Sequence, residues 1–404
     1  MKVCMLSYSH YETDNRVRRY AESLVLRGDS VDVFALRLKG QIRFENIRGV
    51  NVYRIQEREK NEKRKEDYLF RVLLFLLKSF IHLTVRHLRC WYSVIHVHSV
   101  PDFEVFATIV PRLLGTKVIL DIHDIVPEFY AEKFDSGKKS IFKRALITIE
   151  HLCCSFAHHV IISNDLWRDL ITSRSVNGSK CTTVINYPDE TIFSKIIDKP
   201  VYENGPFTII YPGSLNYHQG IDIAIKAMNQ VRKSAPEIKF DIYGVGPSKS
   251  SLEELINKLE LHDTVFIRKP LPLEEIAKKM SSAHLGIVPK RADGFGNEAF
   301  STKILEFMIL GVPVIAAETK IDRYYFNDSL LEFFRSGDEN SLADKILYLF
   351  CNKSRRDELY KNALRFAATN SWNKKKALYF NIVDKLCGIK PIPDVEVQNV
   401  SAEV

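Results

Sequence analysis

Glu298 and Glu306 are the two residues whose type and spacing point most clearly to chemistry. A strand-like apolar run at Leu285–Val288 leads toward them through a loop that contains Gly294 and Gly296. Glycine lets a backbone approach a ligand closely. The loop opens a helical pattern, and the amino end of a helix presents unpaired N–H groups that suit a phosphate. The sequence therefore predicts an anion-binding loop flanked by carboxylates.

We expect a helix at residues 300–310, with Glu298 at its start. If this one helix carries both glutamates, their spacing predicts what kind of ligand they bind. Eight residues are slightly more than two helical turns, so the carboxylates would lie on nearly one face, ~12 Å apart along the axis. Such a separation suits the two ends of an extended ligand better than one shared proton. A carboxylate accepts hydrogen bonds from two neighbouring hydroxyls, as a sugar or a ribose presents them. The alternative is an N-terminal glutamate favoured by the helix dipole and an unrelated surface glutamate.

The run from residue 294 to residue 315 resembles the Glu-x7-Glu signature of retaining glycosyltransferases of family 4, which have the GT-B fold. Similarity covers almost the whole chain and includes the motifs Asp14-Asn15-Arg16-Val17-Arg18-Arg19, Asp121-Ile122-His123-Asp124, Tyr211-Pro212-Gly213-Ser214-Leu215, Gly244-Val245-Gly246-Pro247 and Gly337-Asp338. The resemblance implies an α/β protein with two Rossmann-like, doubly wound parallel-sheet domains that face each other across a cleft. It also implies catalysis without a metal ion or another cofactor.

The resemblance assigns roles to single residues. Glu306 would bind the ribose hydroxyls of a nucleotide. Glu298 and His123 would be the catalytic residues: Glu298 would bind the donor sugar, and His123 would contact the donor sugar or the acceptor. For His123, a structural role as a hydrogen-bonded histidine is the alternative. The diphosphate would rest against the amides and side chains of Phe300, Ser301, Thr302 and Lys303. The remaining donor-binding positions would be Gly213, Ser214, Gly244, Gly246 and Arg268.

One departure from the family pattern concerns the charge that neutralises the diphosphate. Many relatives carry a Gly-Arg-x4-Lys-Gly motif after the first strand of the second domain, whereas this chain has Ser214 and Gln219 at the two cationic positions. A hydrogen bond to a charged group contributes roughly 1.5–3 kcal/mol, so other cations must replace the missing pair. The candidates are Lys303, Lys290, Arg291 and Arg16.

Short β-rich runs alternate with helical patterns in both halves of the chain, which indicates parallel sheets covered on both faces. A cluster of prolines and a glycine interrupts the alternation at residues 188–206. We therefore expect an acceptor domain at residues 1–190, a linker at 191–206 and a nucleotide-sugar domain at 207–370. A C-terminal helix at 371–390 and a disordered tail at 391–404 would follow. His96 and His98 fall on a predicted strand, and we expect them to face opposite sides of the sheet.

The composition restricts the class of protein. A formal net charge of +8 is only mildly basic and does not indicate nucleic-acid binding. The seven cysteines are odd in number and irregularly spaced, which favours reduced thiols in the cytosol. The first residues run directly into a strand-like pattern without an apolar signal region, so export is not expected. The sequence therefore predicts a cytoplasmic protein that binds no nucleic acid.

A long apolar stretch at residues 68–85 is interrupted by Arg71, Lys78 and His82, so we expect that it does not span a membrane. Residues 54–89 contain ten Lys or Arg against five Asp or Glu. A basic amphipathic helix on a membrane surface fits this pattern. A surface helix whose apolar stripe is ordinary core fits it equally well. The first alternative predicts a peripheral protein on the inner face of a membrane.

Together these observations predict the transfer of a sugar from a UDP- or GDP-sugar to an acceptor hydroxyl, with retention of the anomeric configuration. The expected acceptor is a polysaccharide or a lipid-linked glycan. Two alternatives stay open: a nucleotide-sugar isomerase of the same fold, and a nucleotide-sugar-binding protein without catalytic activity. An isomerase would change its donor with no acceptor present, whereas an inactive protein would bind nucleotide without any transfer.

Overall fold

A computed structural model of the chain describes residues 1–58, 65–131, 139–193 and 206–390. These residues form two units, one of residues 1–186 with the C-terminal segment from Lys376, and one of Tyr187–Lys375. Most of the predicted linker and the whole predicted tail lie outside the described residues. Each unit contains its own parallel sheet.

The first unit is built on an eight-stranded sheet whose strands run in the order β3-β4-β2-β1-β5-β6-β7-β8. The strands are β1 (Lys2–Ser7), β2 (Ser30–Arg37), β3 (Phe44–Ile47), β4 (Val50–Glu57), β5 (Val94–His98), β6 (Lys117–Ile122), β7 (His159–Ile162) and β8 (Cys181–Thr183). The helices are α1 (Asn15–Leu26), α2 (Lys65–Cys90), α3 (Ile109–Leu113), α4 (Val126–Ala131), α5 (Lys139–Phe156) and α6 (Asp165–Thr172). The central strands are almost wholly buried, as expected of a parallel sheet covered on both faces.

The second unit is built on a six-stranded sheet in the order β11-β10-β9-β12-β13-β14, with parallel neighbours throughout. The strands are β9 (Thr208–Pro212), β10 (Lys239–Tyr243), β11 (Val265–Arg268), β12 (Leu285–Val288), β13 (Val314–Ala317) and β14 (Glu332–Phe334). The helices are α7 (Ile221–Ser234), α8 (Lys249–Lys258), α9 (Leu273–Ser281), α10 (Gly294–Glu298), α11 (Thr302–Ile309), α12 (Lys320–Tyr325), α13 (Glu339–Cys351) and α14 (Lys353–Thr369). The last helix, α15 (Trp372–Leu386), begins in this unit and continues into the first.

In each sheet the strand order reverses at one point, because later strands of the chain add to the opposite side of the first strand. The reversal lies between β1 and β5 in the first unit and between β9 and β12 in the second. In open parallel sheets, ligands bind beyond the carboxyl ends of the strands at such a reversal. The candidate residues of the second half follow β9, β10 and β12 or, for Arg268, end β11, so they lie at the expected edge.

The predicted single helix that carries both glutamates is wrong. Glu298 is the last residue of α10, whereas Glu306 lies on α11. Ala299 and Ser301 between the two helices have extended backbones. The buried Lys290 donates a hydrogen bond from Nζ to the carbonyl of Ala299 at 2.8 Å, which holds that peptide outside a helix. The helical spacing argument for the two carboxylates therefore does not apply.

Two further differences concern the first unit. β3 is a short antiparallel strand that the sequence analysis missed, and a turn with positive φ at Arg48 and Gly49 joins it to β4. His96 and His98 do not face opposite sides of the sheet, because residues two apart in a strand share one face. Their rings lie 4.0 Å apart, and both are buried.

Among the described residues, one helix, Asp67–Cys90, is long and apolar enough to cross a membrane, judged by length and composition alone. Its mean hydropathy reaches 1.6. The charges that interrupt the apolar stretch therefore do not exclude a span by that measure. Soluble core helices also meet it, and Val72, Phe75 and Leu83 of α2 are buried in the first unit. One side of this helix thus belongs to the core of the unit.

The opposite side of α2 is apolar and exposed. The exposed apolar residues of α2 are Leu69, Phe70, Leu73, Leu77, Ile81, Val85 and Leu88. Further exposed apolar side chains lie on α3 and its end and on α5, namely Ile109, Leu113, Leu114, Ile141, Phe142, Ile149 and Leu152. The 3-10 helix Asp102–Thr108 contacts both α2 and α5, and α2 also contacts α3. We call these fourteen exposed side chains the apolar helix layer.

Candidate functional site

The carboxyl edge of the second sheet is crowded with glycine backbone. A Cβ on Gly244 would lie 1.9 Å from the carbonyl oxygen of Gly213, and a Cβ on Gly246 would lie 2.5 Å from that of Leu215. Both distances are far below contact, so the loops after β9 and β10 pack only if these residues are glycines. Gly244 and Gly246, which the resemblance gives as donor-binding positions, are thus required by the close approach of two loops.

Lys303 of α11 lies over the loop after β9. A Cβ on Gly213, whose φ is +148°, would lie 2.5 Å from the Cε of Lys303. The ammonium of Lys303 lies 5.3 Å from the centre of the Tyr211 ring. Burial lowers the pKa of Lys303, an effect that nearby Glu306 opposes. Within the described ranges, no ion pair or hydrogen bond forms at this ammonium. Lys303 is therefore a partly buried cation without an ion pair among the described residues.

The three other basic residues predicted at the donor site of the second unit already have carboxylate partners. Lys290 is buried and pairs with Asp322 at 3.0 Å. Arg291 binds both carboxylate oxygens of Asp222, at 2.8 and 2.7 Å. Arg268 donates from Nε to Asp241 at 2.8 Å.

Ser214 and Gln219, at the positions of the missing family cations, form neutral hydrogen bonds within the chain. The Tyr211 hydroxyl lies 3.0 Å from the side-chain oxygen of Gln219 and 3.0 Å from the carbonyl of Ser214. Ser214 also accepts a hydrogen bond from the Asn216 amide through its hydroxyl oxygen at 3.3 Å. These neutral contacts bring no positive charge to the edge of the sheet.

Glu298 has a partner that the sequence analysis missed. Nζ of Lys320, at the start of α12, lies 2.9 Å from its carboxylate, and the Lys320 amide donates to the side chain of Asn297 at 2.8 Å. The two residues are 22 positions apart, so no local pattern announces the pair. Glu306 lies one turn beyond Thr302, whose hydroxyl is 3.4 Å from its carboxylate. Glu298 is therefore oriented by the chain itself, at 29% exposure.

Two more predicted residues flank α11. Ser301 is buried and precedes the helix with an extended backbone. The Phe300 ring packs edge-on against Tyr325 at 5.1 Å. The amino end of α11 is therefore anchored by packing. The amide of Ile304 donates to the Ser301 carbonyl at 3.1 Å, whereas those of Thr302 and Lys303 lie too near the helix start to have an intrahelical partner.

His123 of the first unit belongs to a buried polar cluster after β5 and β6. Its Nε2 lies 3.0 Å from the Asp121 carboxylate. Arg16 binds the same carboxylate twice, from Nε at 2.9 Å and from the terminal nitrogen at 2.8 Å, and it also donates to the carbonyl of Val184. The guanidinium of Arg16 is thus buried and bound to Asp121, and its predicted contact with a diphosphate stays a prediction.

His96, His98 and Asp121 are the one group among the described residues that could hold a metal ion, with ligand atoms within 4.8 Å of one another. Arg16 already neutralises this carboxylate, and a second cation beside the guanidinium would be repelled. Nδ1 of His96 is hydrogen-bonded to the hydroxyl of Tyr379 on α15 at 3.0 Å. The donor set therefore fits an ion pair with hydrogen bonds better than a metal.

Two family models match the chain. The model of the "Glycosyl transferase 4-like domain" covers residues 13–186, and the model of "Glycosyl transferases group 1" covers residues 193–366. The chain belongs to glycosyltransferase family 4. The sheets, the reversal points and the Glu-x7-Glu segment all fit this family, which confirms the predicted resemblance and the α/β class with two Rossmann-like halves.

Curated relatives of this glycosyltransferase include one component of the human phosphatidylinositol N-acetylglucosaminyltransferase, 22% identical over 323 residues, 78% of this chain and 61% of the relative. Another is the putative colanic acid biosynthesis glycosyltransferase WcaL of Escherichia coli, 26% identical over 155 residues, 38% of this chain and 37% of the relative. The chain thus aligns with less than two thirds of the length of these relatives.

Solved structures show the same GT-B fold. The sucrose-phosphate synthase of Thermosynechococcus elongatus matches with a TM-score of 0.79 at 17% identity, over 96% of this chain and 100% of that one. Anabaena HepE in complex with UDP and glucose matches with a TM-score of 0.72 at 15% identity, over 96% and 100%. At these identities the likeness establishes the fold.

Proposed function

We propose that this glycosyltransferase moves a sugar from a UDP- or GDP-sugar to a hydroxyl of a glycan or glycolipid, with retention at the anomeric carbon and without a metal ion. The observation that carries the proposal is the edge of the second sheet. There the oriented Glu298, Glu306 and Lys303, whose ammonium has no ion pair among the described residues, surround the amino end of α11. The HepE structures hold UDP and UDP-glucose, which favours a uridine donor. The names of WcaL and of the human relative favour a polysaccharide or lipid acceptor.

The reaction needs stabilisation of a leaving diphosphate. As the bond between the anomeric carbon and the β-phosphate oxygen breaks, negative charge grows on that oxygen. The ammonium of Lys303 and the amides at the start of α11 would receive it. Glu298 would hold the sugar hydroxyls while the ring becomes oxocarbenium-like. The acceptor oxygen then bonds to the anomeric carbon on the same face, and its proton passes to the departing phosphate.

The proposal predicts that the two glutamates are required for transfer. We expect Glu298→Gln to lower kcat/KM by about 10²-fold or more, because one group that stabilises the transition state is typically worth that much. Glu306→Gln should lower kcat/KM by about tenfold or more, because hydrogen bonds between the ribose and a charged group are lost. The assay follows labelled UDP- and GDP-sugars with glycan or lipid acceptors. Glu254→Gln on the exposed face of α8 is the matched control and should retain full activity.

Three results would contradict this function. Full activity of the doubly substituted protein would remove the site assignment. Conversion of the donor to an isomer with no acceptor present would favour an isomerase. Tight nucleotide binding without transfer to any acceptor would favour an inactive binding protein.

We also propose that the first unit docks on the cytoplasmic surface of a membrane through the apolar helix layer. Large apolar side chains of neighbouring helices are exposed together there, and such patches mark interaction surfaces. The excess of basic residues at 54–89 suits anionic lipid headgroups. A lipid-linked acceptor would then be reached from the bilayer surface. Sedimentation with anionic vesicles tests this placement.

A further inference from the structure

Asp121 at the end of β6 is the centre of an unusual set of donors. Its buried carboxylate receives two bonds from Arg16, one from Nε2 of His123 at 3.0 Å and one from Nδ1 of His98 at 3.2 Å. Nε2 of His96 is 3.6 Å from the same oxygen. Three imidazoles and one guanidinium therefore surround a single carboxylate.

The charge state of this carboxylate follows from its partners. Burial by itself raises the pKa of Asp121, but Arg16 and His123 outweigh that effect and hold the pKa well below its usual range. A buried carboxylate is retained as an anion only when it is paired and its oxygens accept hydrogen bonds. Asp121 is thus ionised at neutral pH and can accept hydrogen bonds but not donate them.

An anion that only accepts dictates which nitrogen of His123 carries the proton. In neutral imidazole one nitrogen is a donor and the other an acceptor. Because Nε2 faces Asp121, Nε2 must carry the hydrogen, and Nδ1 keeps its lone pair. The side chain of His123 is 22% exposed, and within the described ranges no group hydrogen-bonds to Nδ1. This acceptor therefore points away from the buried cluster.

The backbone of His123 is fixed as well. The hydroxyl of Ser163, just after β7, donates to the His123 carbonyl at 2.9 Å. His98 packs 5.6 Å from the His123 ring, so the imidazole is held on more than one side. A side chain held in this way offers its Nδ1 in one direction.

We propose that Asp121, kept ionised by Arg16, is a positioning residue that fixes His123 as the Nε2–H tautomer and presents its Nδ1 as the acceptor for a substrate hydroxyl. The inference rests on the proposed glycosyl transfer for the nature of that hydroxyl. The tautomer itself is a property of the ligand-free protein. A purely structural role of Asp121 would require no defined tautomer at His123.

The test is nitrogen NMR of protein labelled with ¹⁵N-histidine, at a pH above the ordinary histidine pKa of about 6.5. We expect His123 of the wild type, identified by comparison with His123→Gln, to show protonated Nε2 and unprotonated Nδ1. In Asp121→Asn the amide cannot accept all of the former hydrogen bonds, so the second tautomer should appear. The transfer rate of this variant should fall roughly 2- to 12-fold, as expected for the loss of one hydrogen bond to a substrate hydroxyl.

Asp121→Asn leaves the buried Arg16 without a counter-charge and so threatens folding. The double variant Arg16→Met with Asp121→Asn removes both charges and should show the same mixed tautomers in a folded protein. Glu150→Gln is the matched control, because it also breaks a buried pair, with Arg174 at 2.7 Å, but does not contact His123. It should lose stability and leave the His123 tautomer unchanged.

The outcomes separate this inference from the proposed function. A wild-type His123 with protonated Nδ1, or a tautomer that is identical in both Asp121 variants, overturns the inference even if sugar transfer is observed. The expected tautomers together with no transfer from any UDP- or GDP-sugar would leave the positioning intact and overturn the transfer reaction.

Discussion

Single residues decide how much positive charge the candidate site offers to a diphosphate. The family pattern places two cations after the first strand of the second domain, and this chain has Ser214 and Gln219 there. Of the four cations considered as substitutes, Lys290, Arg291 and Arg16 pair with carboxylates. Lys303 is the one without such a partner among the described residues. We infer that Lys303 is the principal contact for the diphosphate.

This inference predicts a phosphate-specific loss in Lys303→Met, which keeps the length of the side chain and removes its charge. A hydrogen bond to a charged group contributes about 1.5–3 kcal/mol, so the Kd of UDP should rise about 10- to 150-fold. Calorimetric titration measures it. Binding of uridine, which has no phosphate, should not change, and Lys226→Met on the exposed face of α7 serves as the control. Equal losses for uridine and UDP would contradict the assignment.

At the scale of elements, the loops after β9 and β10 are shaped by backbone contact. Gly244 packs directly on the Gly213 carbonyl, and Gly213 in turn lies under Lys303. The resemblance gives these glycines as donor-binding positions, and the structure shows that two loops approach each other closely there. The geometry of the candidate site therefore depends on the glycines even where they touch no ligand.

Gly244→Ala should therefore destabilise the second unit. The added carbon must displace a backbone carbonyl, and overpacking of this kind costs about 1–3 kcal/mol or more. For a unit of this size, the melting temperature should fall by roughly 2–12 °C. Gly337→Ala is the comparison, because its φ of +83° brings strain but its Cβ would meet no atom within 4 Å. Differential scanning calorimetry should rank Gly244→Ala as the more damaging change, and the reverse order would contradict the packing argument.

At the scale of the whole molecule, the apolar helix layer is the feature that bears on location. A soluble domain rarely exposes so many large side chains on neighbouring helices. α2 uses one side, with Val72, Phe75 and Leu83, for the core of the first unit, so only its outer side is left for lipid. We therefore expect the helix to lie along the bilayer surface and not to cross it.

Wild-type protein should sediment with vesicles that contain anionic lipid at low salt, and binding should weaken as salt screens the basic residues. Leu73→Ser with Leu77→Ser should reduce binding about tenfold or more, because two partly buried apolar contacts with the bilayer are lost. Leu26→Ser on α1 is the control, because it changes a leucine that is 86% exposed but does not belong to the apolar helix layer. Absence of wild-type binding at low salt would end the proposal.

The sequence by itself determined the alternation of strands and helices, the two halves and the Glu-x7-Glu segment of family 4. These are local or periodic patterns, in which each signal lies within a few residues of the chain. Helix boundaries depend on contacts beyond these local patterns. The break between α10 and α11 involves the side chain of Lys290, which binds a carbonyl nine residues away.

Only the tertiary structure decided which charges are available to a ligand. Arg16 and Asp121 are 105 positions apart in the chain, and Arg291 and Asp222 are 69 apart, yet each pair is in direct contact. A cation's availability to a ligand depends on the carboxylates within a few ångströms of it, and Coulomb energy follows distance in space and not in sequence. For the same reason the Lys320 partner of Glu298, 22 positions away, became visible only when the folded chain brought the two residues together.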